Sequence, residues 1–127
     1  MKKILFFSSI LITIISCSPE AMVNKKLTGM WHLVSIDSKD LDSNYKEQID
    51  FEPDGRGGTI TETKTTNGIP VVTYGQYAVI KSGALTISRN KSGGGYDDTG
   101  YDLTNISDNN LTITQNTNGN KVYVYKK

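Results

Sequence analysis

The 127 residues carry 14 Lys and Arg against 13 Asp and Glu, a formal net charge of +1, and 36% of them are hydrophobic. A near-neutral chain with no long run of either sign does not suit a nucleic acid, whose phosphates call for a clustered basic face. One cysteine and one histidine exclude an internal disulfide, a Cys/His zinc cluster and a CxxC redox pair.

Lys2 and Lys3 precede an apolar run from Ile4 to Ile15, the layout of a secretory signal. That run is too short to cross a bilayer, which takes roughly 20 residues, so it reads as a removable segment. It ends in Ile14-Ile15-Ser16-Cys17, which resembles the bacterial lipobox: a branched apolar residue three places before an invariant Cys, a small residue just before it, and cleavage between the two. The resemblance implies a signal peptide over residues 1–16, acylation of Cys17 and a lipid-anchored protein of the cell envelope. It also implies three acyl chains and durable anchoring, where a single chain gives only reversible attachment. Glu20 alone does not make the acidic run found after the Cys in lipoproteins of the Bacteroidota that are flipped to the cell surface. Ser18 is compatible with sorting to the outer membrane, so the expected location is that membrane, facing the periplasm. Cleavage leaves about 110 residues, the size of one domain, with acidic side chains one in excess.

Cys17 and the stretch to Lys26 show no clear hydrophobic period and include Pro19, which reads as a lipidated Cys followed by a tether. From Leu27 to Lys127 short strand-like runs alternate with turn residues, and no window carries an apolar stripe at helical spacing. The expected strands are Met30–Ile36, Glu47–Glu52, Thr59–Thr66, Val71–Ile80, Leu85–Arg89, Thr99–Ile106, Leu111–Gln115 and Val122–Tyr125. Pro53-Asp54-Gly55, Asn67-Gly68, Ser82-Gly83, Asp108-Asn109-Asn110 and Asn118-Gly119 supply the turns between them. Gly75 and Gly100 fall inside strands, where a missing Cβ marks a bulge or bend. Asn90–Asp98, with Gly93-Gly94-Gly95, reads as a long flexible loop, and Ser38–Lys46 as room for one helical turn. An eight-strand meander closes on itself to remove its edges. The expected fold is all-β, an antiparallel up-and-down eight-stranded barrel.

Leu27-Thr28-Gly29-Met30-Trp31, with its Gly-x-Trp core, resembles the opening strand of lipocalin-like domains in bacterial lipoproteins. Phe51-Glu52-Pro53-Asp54-Gly55 is similar to the Phe-x-x-Asp-Gly turn of that group, and Leu111-Thr112-Ile113 with the Tyr-rich last strand is similar to its ending. The resemblance implies a lipocalin-like barrel with Gly29 and Trp31 closing its narrow end. It further implies a basic side chain of the last strand, Lys126 or Lys127, packed across the indole, with Lys126 taken as the closing residue. Lipocalins more often place Arg there.

Nothing in the chain assembles a catalytic set, a metal site or a cofactor site. Alternation turns His32 away from Trp31, and Asp97 and Asp98, adjacent in an extended chain, point to opposite sides. Asp37, Asp40 and Asp42 lack the Gly and closing Glu of a calcium loop. Alternation directs Ile49, Phe51, Leu85, Ile87, Tyr101, Leu103, Leu111 and Ile113 inward, with Asn105 and Gln115 toward the rims. Phe51, Leu85, Ile87, Tyr101 and Leu103 are the candidate ligand lining. Such a wall suits a small apolar or amphipathic ligand. It equally describes a packed interior, in which case the outer strands, the tyrosines or the Asn90–Asp98 loop dock a neighbouring envelope protein.

Overall fold

A computed structural model describes residues 18–127 apart from Ser82 and Asn118. The expected signal peptide and Cys17 lie outside the described residues, as do one residue each of the Ser82-Gly83 and Asn118-Gly119 turns.

Among the described residues one helix and nine strands follow in order: α1 (Pro19–Leu27), β1 (Gly29–Ile36), β2 (Lys39–Asp40), β3 (Tyr45–Asp54), β4 (Gly57–Thr66), β5 (Ile69–Ile80), β6 (Ala84–Asn90), β7 (Tyr96–Ile106), β8 (Asn110–Gln115) and β9 (Lys121–Lys126). Strand β2 is a two-residue stub beside β1. The other eight form an antiparallel meander that closes where His32 and Leu33 of β1 pair with Lys126 and Tyr125 of β9. Every strand expected from the sequence is present, most of them a residue or two longer, and the closed eight-stranded barrel is the fold. All of the barrel's pairings among the described residues lie within Ser18–Lys127, including the β1–β9 closure.

Period-two alternation builds the core. Inward residues Trp31 and Leu33, Ile49 and Phe51, Leu85 and Ile87, and Leu111 and Ile113 are all buried, while their neighbours face out. Phe51 meets Tyr77 edge to face with ring centroids 5.0 Å apart, a geometry that aromatic quadrupoles favour.

The expected tether is instead a helix folded under the barrel. Ser18 is its N-cap and accepts the Ala21 N–H at 3.2 Å, Pro19 stands in the first turn where its missing N–H costs nothing, and Lys25 and Lys26 end it favourably for the helix dipole. Glu20, Val23, Asn24 and Leu27 share the barrel-facing side at helical spacing. Two of those four are polar, so no apolar stripe showed in the sequence.

Other local expectations also change. Ser38–Lys46 holds no helical turn: Asp37 and Ser38 are both left-handed and close the β1–β2 hairpin, the conformation of a two-residue primed turn. The register shifts fall between Leu33 and Ser35 and between Leu103 and Asn105, not at Gly75 or Gly100. The second shift turns Ile106 toward the core opposite Leu111 and leaves Asn105 exposed, so Asn105 is no inward rim residue. Strand β7 starts at Tyr96, which shortens the expected loop to Lys91–Gly95.

Candidate functional site

The floor of the barrel is closed from below. Trp31 Nε1 donates to the Leu27 carbonyl at the end of α1 at 2.8 Å, and Asn24 Nδ2 donates to the carbonyls of Gly55 and Gly57 at 2.9 and 2.8 Å. The cation over the indole is Lys127, whose Nζ lies 4.6 Å from the ring centroid. Lys126, the residue taken for this role, pairs in the β1–β9 ladder with its side chain exposed. Strand parity explains the correction: Tyr125 points inward, so Lys126 points outward, and the last residue turns back under the floor. Gly29 stands beside it with φ of 106°, a conformation that favours glycine, and a Cβ there would lie in ordinary van der Waals contact with the Lys127 side chain.

Higher in the barrel the same inward parity carries polar residues. Below the mouth it runs from Ile49 to Glu47 and Tyr45 on β3, from Ile60 to Glu62 and Lys64 on β4, and from Ile87 to Arg89 on β6. Glu62, 2% exposed, accepts two hydrogen bonds from Arg89, 3.0 Å from Nε and 2.8 Å from Nη2. Lys64 Nζ stands 3.4 Å from the same carboxylate, and Arg89 Nη2 also reaches the Tyr101 hydroxyl at 3.3 Å. Beside this pair Glu47 accepts the Tyr45 hydroxyl at 2.6 Å and the Tyr125 hydroxyl at 3.4 Å, and Tyr123 donates to Gln115 Oε1 at 3.1 Å. Among the described residues, no buried side-chain nitrogen or oxygen lacks a partner.

Electrostatics fix the state of this cluster. Burial by itself would push the Glu62 carboxyl up, but Arg89 and Lys64 hold it below the usual carboxylate range. Burial, together with the nearby Glu47 carboxylate, raises the phenols of Tyr45 and Tyr125, and burial with neighbouring Tyr101 raises Tyr123. The carboxylates and phenols of the cluster thus serve one another as hydrogen-bond acceptors and donors.

Of the candidate lining, Phe51, Leu85, Ile87 and Tyr101 are buried in the core and Leu103 packs against it half-buried. The structure brings them together as packed interior. The polar group above them, Glu47, Glu62 and Arg89, was missed because reading inward faces by hydrophobicity stops where a strand turns polar. Carrying the parity two residues further along β3, β4 and β6 finds all three.

The mouth also carries a raised hairpin. Strand β4 is paired with β3 as far as Thr66, whereas β5 meets β6 only from Gly75, opposite Arg89. Ile69–Tyr74 therefore has β4 on one side and, among the described residues, no strand on the other. Ile69, Val71, Val72 and Tyr74 on this segment, and Tyr96 beside it, are 69%, 62%, 46%, 61% and 63% exposed. A recess of about 300 Å³ opens next to the mouth between Ile36, Leu41, Tyr45 and Lys121.

No protein-family model, curated protein or solved structure matches the chain. Its class therefore rests on its own geometry, a small closed antiparallel β-barrel with a helix-sealed floor and a polar, aromatic mouth. Among the described residues no helix is long and apolar enough to cross a membrane.

Proposed function

We propose that the chain is a lipid-anchored, non-enzymatic protein of the bacterial envelope, held by Cys17 in the outer membrane facing the periplasm, whose barrel presents its mouth to a partner protein. One observation carries this reading: the interior is packed and its polar groups are mutually satisfied, while large apolar side chains stand exposed on one uncovered hairpin at the mouth. An uncovered strand edge, here with exposed apolar side chains on both faces, is what strand addition uses, its backbone giving affinity and its side chains giving selectivity. The helix that follows Cys17 caps the opposite pole, so an anchored barrel turns the hairpin away from the membrane.

A photo-crosslinking amino acid placed at Tyr74 in cells is expected to give a discrete protein adduct, and one at Asp102 on the flank is not. Equal labelling at both positions, or none at Tyr74, overturns the reading. Fractionation of Cys17→Ser tests the anchor separately, with release from membranes expected.

A second reading is favoured by the recess beside Tyr45. Its apolar wall of Ile36 and Leu41, with Asp37, Asp40, Lys39 and Lys121 around it, fits the outline of a small amphipathic ligand. The eight-stranded barrel is an architecture compatible with such binding. Native mass spectrometry of the Ser18–Lys127 barrel checks it, a co-purifying small molecule being the supporting result.

A further inference from the structure

We infer that the sealed pole of the barrel is a docking surface for anionic phospholipid, acting beside the acyl anchor and separable from it. The inference rests on the proposed anchoring at Cys17 for its setting, but its chemistry belongs to residues of the folded domain.

The outward face of α1 carries Met22, Lys25 and Lys26 at helical spacing, opposite the side that Asn24 and Leu27 bury against the barrel. All three are exposed, Met22 at 58%. A groove of about 700 Å³ runs between this face and the C-terminal end of the barrel, lined by Ala21, Met22, Lys25, Lys26, Asp108 and Lys127. It has an apolar floor from Ala21 and Met22 and a rim of three ammonium groups. Asp108 is the one acidic side chain in the lining, and Glu20 on the same helix turns toward the barrel. None of the three lysines belongs to either ion pair found among the described residues. Lys127 is held in place by the indole beneath it, so its charge is positioned as well as exposed.

Two facts say what covers this groove. The first is charge: a chain whose domain is net acidic gathers three cations around one apolar recess, and a surface of anionic headgroups over acyl chains is the complement of that pattern. The second is place: α1 begins at Pro19, two residues after Cys17, so a bilayer holding that residue lies within reach of the groove and not of the mouth. Met22 then meets the headgroup boundary while Lys25, Lys26 and Lys127 meet phosphates.

The test uses the Ser18–Lys127 barrel, without acyl chains, and vesicles of phosphatidylethanolamine with or without about 30% phosphatidylglycerol at low salt. Co-sedimentation with the anionic vesicles only, weakening as salt rises, is expected. Lys25→Gln/Lys26→Gln should lower the partition constant roughly 30-fold, at about fivefold per lysine, and Met22→Asp should lower it further. Both variants change exposed side chains. Lys46→Gln/Lys91→Gln, on the barrel wall and mouth loop, should leave it unchanged. Equal binding to both vesicle types, no binding to either, or insensitivity to the α1 substitutions overturns the inference. Because the acyl anchor is absent, failure here leaves the Cys17→Ser experiment free to succeed, and the reverse holds.

Discussion

Tyr77 in β5 donates its phenol to Asn24 Oδ1 of α1, 53 residues earlier in the chain, at 2.5 Å. The same Asn24 gives both amide hydrogens to the Gly55 and Gly57 carbonyls at the β3–β4 turn. One buried amide, 1% exposed, therefore ties the helix to two separate parts of the barrel floor. Asn24→Ala removes one buried hydrogen bond, from Tyr77, and two part-buried ones, to Gly55 and Gly57, where water can replace the amide; a buried group left unsatisfied costs about 1–3 kcal/mol. The expected result is a loss of about 2–3 kcal/mol in urea unfolding, with amide exchange of α1 rising far more than that of β3 to β8.

The Glu62–Arg89 pair is asymmetric in burial, and so are the expected consequences of breaking it. Arg89→Met leaves a carboxylate that is 2% exposed with the half-solvated Lys64 ammonium, 3.4 Å away, as its remaining cation. Removing one partner of a buried pair typically costs about 3–5 kcal/mol. Glu62→Gln leaves a cation whose side chain is 18% exposed and can reach water at the mouth, so its cost should be smaller. Unfolding midpoints of both variants and of the double variant test the order.

Acid and alkali should unfold the barrel for opposite reasons. Glu62 is held below the ordinary carboxylate range in the folded chain. Its contribution is therefore fully present above the unfolded value of about 4.3 and disappears as pH falls through the lowered folded value. For tyrosine the sign reverses: burial pushes the Tyr77 phenol up to about 12 against the opposing pull of Asn24, and Tyr45, Tyr123 and Tyr125 are also raised. Stability from these groups is intact below about pH 10 and is lost above it, where unfolded phenols ionise first. Thermal midpoints across pH should form a plateau bounded on both sides. A Glu62→Gln/Arg89→Met double variant should show a shallower acid limb.

Gly75 marks the point where β5 leaves its free edge and meets β6. A Cβ there would collide with the Ser88 carbonyl oxygen, which is backbone and cannot swing aside. Gly75→Ala should therefore cost about 1–3 kcal/mol by overpacking. Gly100→Ala, where a Cβ meets open space, should cost far less. Parallel denaturation of the two variants separates close backbone approach from simple strand propensity.

The barrel was legible because its two strongest signals are local. Asn-Gly and Pro-Asp-Gly set the hairpins, and alternation from Trp31 to Leu33 or from Leu85 to Ile87 set the inward face. What stayed hidden depends on partners distant in sequence. Asn24 looks like a tether residue until the carbonyls of Gly55 and Gly57 are placed above it. Glu62 looks like a solvent-facing carboxylate until Arg89, 27 residues later, arrives across the barrel. The choice between Lys126 and Lys127 turned on a single step of strand parity, set by the inward position of Tyr125. The Ser-Pro-Glu start of α1 has the residue types of a helix cap, but Pro19 also suits irregular chain, and the polar Glu20 and Asn24 hide the helical period that would decide between them.

Strand β5 runs through the whole molecule, with Val72 and Tyr74 near one end and, three residues beyond Tyr74, the ring that grips Asn24. A tug on anything clasped by the raised hairpin is thus carried along a single covalent thread to the helix beneath the floor. The β4 ladder flanks that thread from Ile69 to Ala78, and β6 joins it from Gly75 onward. One continuous strand thus joins the raised tip to the helix-sealed base.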